Sequence, residues 1–381
     1  MYCAKCGAAV RADDGRRSGS YAVESGEGVV NLALVSTVMP HTNRQTGTRY
    51  RWALAAVSVL VLVFTLVGIL SAAVTTAAVA VPLVYLLYLY DLNVWQDTPA
   101  RVVGAVIVFT AVLGVLVALV FYRWAFADQF TQLLQSSSSQ LGLDTLPVGP
   151  FLLFVVVLPI VATLVMNIGP VWLARRPEFD DMIDGLTFGV AAGTAFAATE
   201  TIVAFSSVFS GSFRTTQGLT TWIAIIVSVM IVKSFVYGTA NGIAVAAFSG
   251  KGEGYDGFTG AYVANVGLEI LALVAYWAGI RLLAYADYGA WFGVVWGVLL
   301  LAALLVRARR YLHAALLEAA LESAKASQRP RAAVTDGGDC PDCEMPLLPD
   351  AMFCVACGQS VRATSGQARG ALQSPGVGNV A

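Results

Sequence analysis

Apolar runs of about twenty residues recur through the centre of the chain, and no other feature limits its fold so severely. A helix needs roughly 20 apolar residues to cross the hydrocarbon core of a bilayer, where every backbone polar group must be satisfied without water. The runs lie near 52–73, 75–90, 102–122, 150–173, 185–207, 220–248, 260–280 and 288–306. They predict an all-α polytopic membrane protein with about eight transmembrane helices, seven and nine being the neighbouring counts. The second run is short. The sixth is long and interrupted by Lys233, Gly238 and Gly242, so it reads as two pieces or as one tilted helix. Charge placement agrees: 21 of the 47 charged residues fall in the 255 residues from Trp52 to Val306, and 26 in the 126 residues outside them. Charged residues make up 12% of the chain, about half the 25% usual in soluble domains, which excludes an ordinary soluble enzyme.

Basic residues set the orientation through the positive-inside bias. Eight spans with a cytosolic N-terminus put Arg44, Arg49, Arg51, Arg101, Arg175, Arg176, Lys251, Arg307, Arg309 and Arg310 inside, against Arg123, Arg214 and Arg281 outside. Both termini of a multi-pass cell-membrane protein are therefore expected in the cytoplasm. Met1–Arg17 carry no apolar core, so no cleaved secretory signal is expected. The net charge of −1 gives no support for a nucleic-acid partner. The longest outer loop, from about Arg123 to Gly149, contains the serine run Ser136–Ser139. Residues 1–51 form a cytosolic N-terminal region, 52–306 the membrane domain, 307–338 a cytosolic helix and linker, 339–362 a small cysteine-bearing unit, and 363–381 a tail of disordered composition. The helix beyond Arg310 offers Leu312, Leu316 and Leu317 to a partner or to lipid headgroups, or is simply solvated.

All six cysteines lie in the polar ends as C-x-x-C pairs. Cys340-Pro-Asp-Cys343, ten residues, then Cys354-Val-Ala-Cys357-Gly358 supplies four thiolates for one tetrahedral zinc, which closes a small domain with little core of its own. The spacing resembles a bacterial zinc ribbon, and four protein ligands make such a zinc structural. Cys3-Ala-Lys-Cys6-Gly7 looks like half of a second ribbon, either a relic or a site shared with another subunit.

Two stretches of the membrane domain carry a family resemblance. The first is Val81–Asp91 followed by Asp97-Thr98-Pro99; the second runs Pro177-Glu178-Phe179-Asp180, Asp184-Gly185-Leu186-Thr187-Phe188-Gly189, then Gly193-Thr194-Ala195-Phe196-Ala197-Ala198-Thr199-Glu200. Together they resemble the PrsW-type intramembrane proteases, over roughly Pro82 to Leu282. The resemblance implies metal-dependent cleavage of membrane-bound regulators, with an E-E-x-x-K motif, the F-x-x-x-E glutamate and histidines in the two following helices. Glu200 keeps the F-x-x-x-E position. Where E-E-x-x-K is implied the chain reads Ala162-Thr163-Leu164-Val165-Met166, and the later helices carry Lys233 to Gly242 and Asn265 to Glu269 without histidine. His41 and His313, the only histidines, lie outside the spans. A catalytic zinc takes about three protein ligands and one water, so the familiar site cannot be assembled and no cofactor is expected in the membrane domain.

Ionisable groups at bilayer mid-depth cost roughly 2.5–3.5 kcal/mol on insertion scales, so they are expected to face protein and to have partners. Glu200, Lys233 and Glu269 sit on three different runs, with Asn167, Asn241 and Asn265 nearby in sequence. Lys233 is expected to pair with Glu200, Glu269 or both. Three functions compete: a non-catalytic membrane scaffold or regulator with a structural zinc ribbon and a membrane or cytosolic protein partner; an active intramembrane protease using Glu200 and Glu269; and a small-solute or proton transporter around Lys233. Glycines at four-residue spacing predict close helix crossings at Gly185, Gly189 and Gly193, and a homo-oligomer contact at Gly289, Gly293 and Gly297.

Overall fold

The computed structural model describes residues 44–92, 100–131, 147–176, 179, 182–206, 219–250, 256–283 and 289–327. Among these residues every regular element is helical. Eight long helices follow in order: α1 (Arg44–Val67), α2 (Leu70–Leu92), α3 (Ala100–Trp124), α4 (Val148–Leu173), α5 (Met182–Ala204), α6 (Thr220–Ser249), α7 (Gly260–Leu283) and α8 (Gly289–Ser327). Seven of them, α2 to α8, contain segments long and apolar enough to cross a membrane, as in a multi-pass membrane protein. The apolar part of α1 is the shorter Trp52–Val67.

The first two helices divide six residues earlier than the apolar runs suggest. Gly68 adopts φ +84°, its N–H reaches the Thr65 carbonyl at 3.2 Å, and the Ile69 N–H reaches that of Phe64 at 2.9 Å. This paired closure ends α1 at a residue free of a Cβ, and Leu70 starts α2 at once. The helix that looked short in sequence is therefore 23 residues long. Hydropathy averages over such a break because both of its sides are apolar.

The long sixth run forms one helix with a π-helical turn, Ile226–Val232, immediately before Lys233. Gly238 and Gly242 do not break it. They lie where α6 crosses α5, and a Cβ on Gly193 would stand 2.5 Å from the Tyr237 carbonyl oxygen, one on Gly189 2.6 Å from that of Asn241. Small residues on both faces let the two backbones touch, the packing that replaces apolar burial as the cohesive force between helices in lipid. α5 is the central helix: 89% of its apolar window is buried, against 17% of that of α8. Its threonines return their hydroxyls to the preceding turn, Thr187 to Ile183, Thr194 to Val190 and Thr201 to Ala197, which makes a mid-helix hydroxyl tolerable in a dry interior.

Gly297 faces its own chain, near Val232 and Tyr276, and Gly293 stands near Ile280. The α8 helix continues without a break to Ser327, past the basic Arg307–Arg310 stretch. The Cys3–Cys6 pair, the four ribbon cysteines, His41, the Ser136–Ser139 run, the linker and the tail lie outside the described residues, as does the side chain of His313.

Candidate functional site

The α5–α6 crossing brings Glu200 and Lys233 together. Both are sealed from solvent, at 0% and 1% exposure. Lys233 Nζ lies 3.0 Å from Glu200 Oε2 and donates a hydrogen bond of 3.0 Å to Thr201 Oγ1. Its contact with Oε2 is an ion pair without hydrogen-bond alignment. The other carboxylate oxygen, Oε1, accepts the Tyr122 hydroxyl at 2.7 Å. The ammonium also lies 5.5 Å from the Tyr237 ring centre and 5.4 Å from that of Trp277, where the negative face of each ring attracts a cation. Trp277 fixes that arrangement by donating its indole N–H to the Tyr237 hydroxyl at 2.7 Å. Five helices converge on one internal salt bridge: α5 gives Glu200 and Thr201, α6 Lys233 and Tyr237, α7 Trp277, α3 Tyr122, and α4 Phe154, which stacks on Tyr122 at 5.6 Å.

Three π-helical turns surround this cluster. Val120–Trp124 carries Tyr122, Leu153–Val157 carries Phe154, and Ile226–Val232 ends against Lys233. A π turn adds a residue to the helical repeat and rotates everything after it by about 100°. Each one re-aims its helix where a polar or aromatic side chain must meet the Glu200 cluster. In α6 the Ser228 carbonyl accepts the Lys233 N–H at the end of the turn and also the Tyr276 hydroxyl of α7.

Glu269 has a different environment. It is 1% exposed, and its Oε2 accepts the Asn167 amide at 3.1 Å. That amide also donates to the Thr163 carbonyl at 2.9 Å, and the Tyr262 hydroxyl reaches Asn167 Oδ1 at 3.3 Å. Asn241 ties α6 to α5 and α4, donating to the Gly189 carbonyl at 2.9 Å and to that of Met166 at 3.4 Å. Asn265 joins α7 to α8: its Oδ1 accepts Arg307 Nη2 at 2.8 Å and Nε at 3.2 Å, and its amide donates to the Tyr311 hydroxyl at 2.6 Å. Of the residues singled out in the sequence, the structure joins Glu200 to Lys233, while the hydrogen bonds of Glu269, Asn241 and Asn265 run elsewhere.

The residues around Glu200 do not fit the metal that the PrsW resemblance implies. Its carboxylate meets an ammonium and a phenol hydroxyl, neither of them a metal ligand in this protonation state. Ala162–Met166 brings no carboxylate to the site, and among the described residues no three His, Cys, Asp or Glu side chains converge. The Lys233 ammonium supplies the positive charge that a metal would bring. Sequence reasoning missed Tyr122, Thr201, Tyr237 and Trp277 as partners. Tyr122 stands beside Arg123 at the end of an apolar run, where a tyrosine reads as an interfacial anchor, and only the π turn directs it inward. No protein-family model matches the chain, and neither the curated proteins nor the solved structures contain a match to it.

Proposed function

We propose that this chain is a catalytically degenerate member of the PrsW-like intramembrane protease group, acting as a membrane scaffold or regulator. One observation carries the reading: Lys233 Nζ stands 3.0 Å from Glu200 Oε2, so the one signature glutamate is committed to an internal ion pair. A hydrolytic site needs an activated water or a nucleophile with a base in reach. Here the carboxylate's two oxygens go to Lys233 and Tyr122, and Glu200 is fully enclosed. A cluster of this kind holds five helices in one arrangement, which suits a platform for other proteins.

The same reading includes eight spans, with Trp52–Val67 as the first, and both termini in the cytosol. A zinc ribbon at 339–362, closed by Cys340, Cys343, Cys354 and Cys357 on one structural zinc, then faces cytosolic protein partners. Cys3 and Cys6 form half a site.

The test is proteolysis. Purified full-length chain in lipid vesicles is incubated with single-span, fluorophore-bearing reporter peptides, beside the Glu200→Ala variant. The expected result is no cleavage above empty vesicles for either protein. Cleavage by the unaltered chain that Glu200→Ala abolishes would overturn the proposal and establish an active protease.

A further inference from the structure

We infer that Arg307, Tyr311 and Asn265 form a binding site for the phosphate of an anionic phospholipid, at the bilayer edge of the α7–α8 seam. One carboxamide assembles it. Asn265 Oδ1 accepts Arg307 Nη2 at 2.8 Å and Nε at 3.2 Å. Its Nδ2 donates to the Tyr311 hydroxyl at 2.6 Å and to the Ala261 carbonyl at 2.7 Å. A guanidinium has no acceptor atom, so it fixes which end of the amide faces it. Asn265 is 2% exposed, while Arg307 and Tyr311 are half-buried. Arg307 and Tyr311 stand at i and i+4 on α8 and so share a face of that helix.

The hydrogen-bond inventory leaves donors in excess at this point. Both amide hydrogens of Asn265 are used, on Ala261 and on Tyr311, so the Tyr311 hydroxyl is an acceptor there and still has its own proton to donate. A guanidinium carries five N–H groups, and Asn265 Oδ1 takes one from Nη2 and one from Nε of Arg307. Among the described residues no carboxylate pairs with Arg307. An arginine in a protein does not lose its proton, so a full positive charge stands here with neutral partners. What fits is an anion with acceptor oxygens on more than one side, one for the guanidinium and one for the Tyr311 proton. A phosphate diester has that form, and the planar fork of arginine matches it.

The position selects a lipid as the carrier of that phosphate. From Ala290, where the apolar window of α8 begins, to Arg307 is about 25 Å of helix at roughly 1.5 Å per residue, close to the roughly 30 Å of a hydrocarbon core. Toward the bilayer, Val306, Ala303, Leu299 and Val295 follow one another down one face of α8, all of them exposed. They leave an open apolar track for an acyl chain, which a free phosphate has no means to use. Arg310, exposed and one turn beyond Arg307, adds a second positive charge beside the site. A zwitterionic headgroup brings an ammonium that two arginines oppose, so a net-anionic headgroup is preferred. The inference requires only that α7 and α8 cross the bilayer, and it is independent of the Glu200–Lys233 pair and of the scaffold reading.

The experiment is equilibrium binding of phosphatidylglycerol with a radiolabelled acyl chain to the purified full-length chain in micelles of a neutral detergent. The expected result is saturable binding that unlabelled phosphatidylglycerol displaces far better than phosphatidylcholine or inorganic phosphate does. Arg307→Gln should weaken binding about tenfold and Tyr311→Phe about threefold. Arg176→Gln, which removes a charge from the end of α4, should leave it within about twofold. Equal losses from Arg176→Gln and Arg307→Gln would reduce the site to general surface charge and overturn it. So would absence of saturable binding, or displacement by phosphatidylcholine or inorganic phosphate as strong as by phosphatidylglycerol. If Arg307→Gln does not fold, the thermal midpoint of the unaltered chain decides: phosphatidylglycerol should raise it above its value in phosphatidylcholine, and no difference would overturn the site.

Discussion

Glu200 and Glu269 are equally buried acids on apolar helices, yet their surroundings have little in common. Glu200 receives an ammonium on one oxygen and a phenol hydroxyl on the other, with two aromatic rings behind the ammonium. Glu269 receives one carboxamide and keeps an oxygen without a partner. Burial alone therefore says nothing about what an intramembrane carboxylate does. The partners separate the two: Glu200 faces a cationic side chain, whereas Glu269 faces a neutral carboxamide.

The largest difference should appear on removing the cation. Lys233→Met leaves Glu200 buried without a counter-charge, and breaking a buried pair in this way costs about 3–5 kcal/mol. Unfolding in mixed micelles should read that loss, and a loss below about 1 kcal/mol would erase the distinction between the two glutamates. Next comes Tyr122→Phe, which deletes a 2.7 Å hydrogen bond to a charged acceptor. Its expected cost is about 1.5–3 kcal/mol, and a neutral result in the same unfolding experiment would remove Tyr122 from the cluster. The smallest effect is expected at Glu269. Glu269→Gln keeps the shape and the amide contact and should stay within about 1 kcal/mol of the unaltered chain. A loss as large as that of Lys233→Met would show that Glu269 is as firmly paired as Glu200.

Much of this organisation was legible in the sequence, and for identifiable reasons. Helix positions follow from apolar run length, because that property is summed over many residues and survives local irregularity. The Gly185–Gly189–Gly193 crossing was legible because only glycine admits a backbone so close. That Lys233 would meet a buried carboxylate, Glu200, Glu269 or both, followed from the cost of isolated charge in lipid. The fine geometry was not legible. Gly68 divides two helices whose flanks are both apolar, and hydropathy cannot see it. The π turns at Val120–Trp124 and Ile226–Val232 have no compositional mark, so the inward aim of Tyr122 and the seating of Lys233 had no sequence signal. The choice of Glu200 over Glu269 as the partner of Lys233 likewise depends on which helices cross, a long-range property that spacing along the chain does not encode.

The most direct measurement is a double-mutant cycle between Glu200→Gln and Lys233→Met, read by unfolding of the full chain in mixed micelles. If Glu200 is held by Lys233, the double variant should be more stable than the sum of the single losses implies, by more than about 2 kcal/mol. Single losses that add to within about 0.5 kcal/mol would contradict the internal ion pair, and with it the reading of Glu200 as a structural rather than a hydrolytic group.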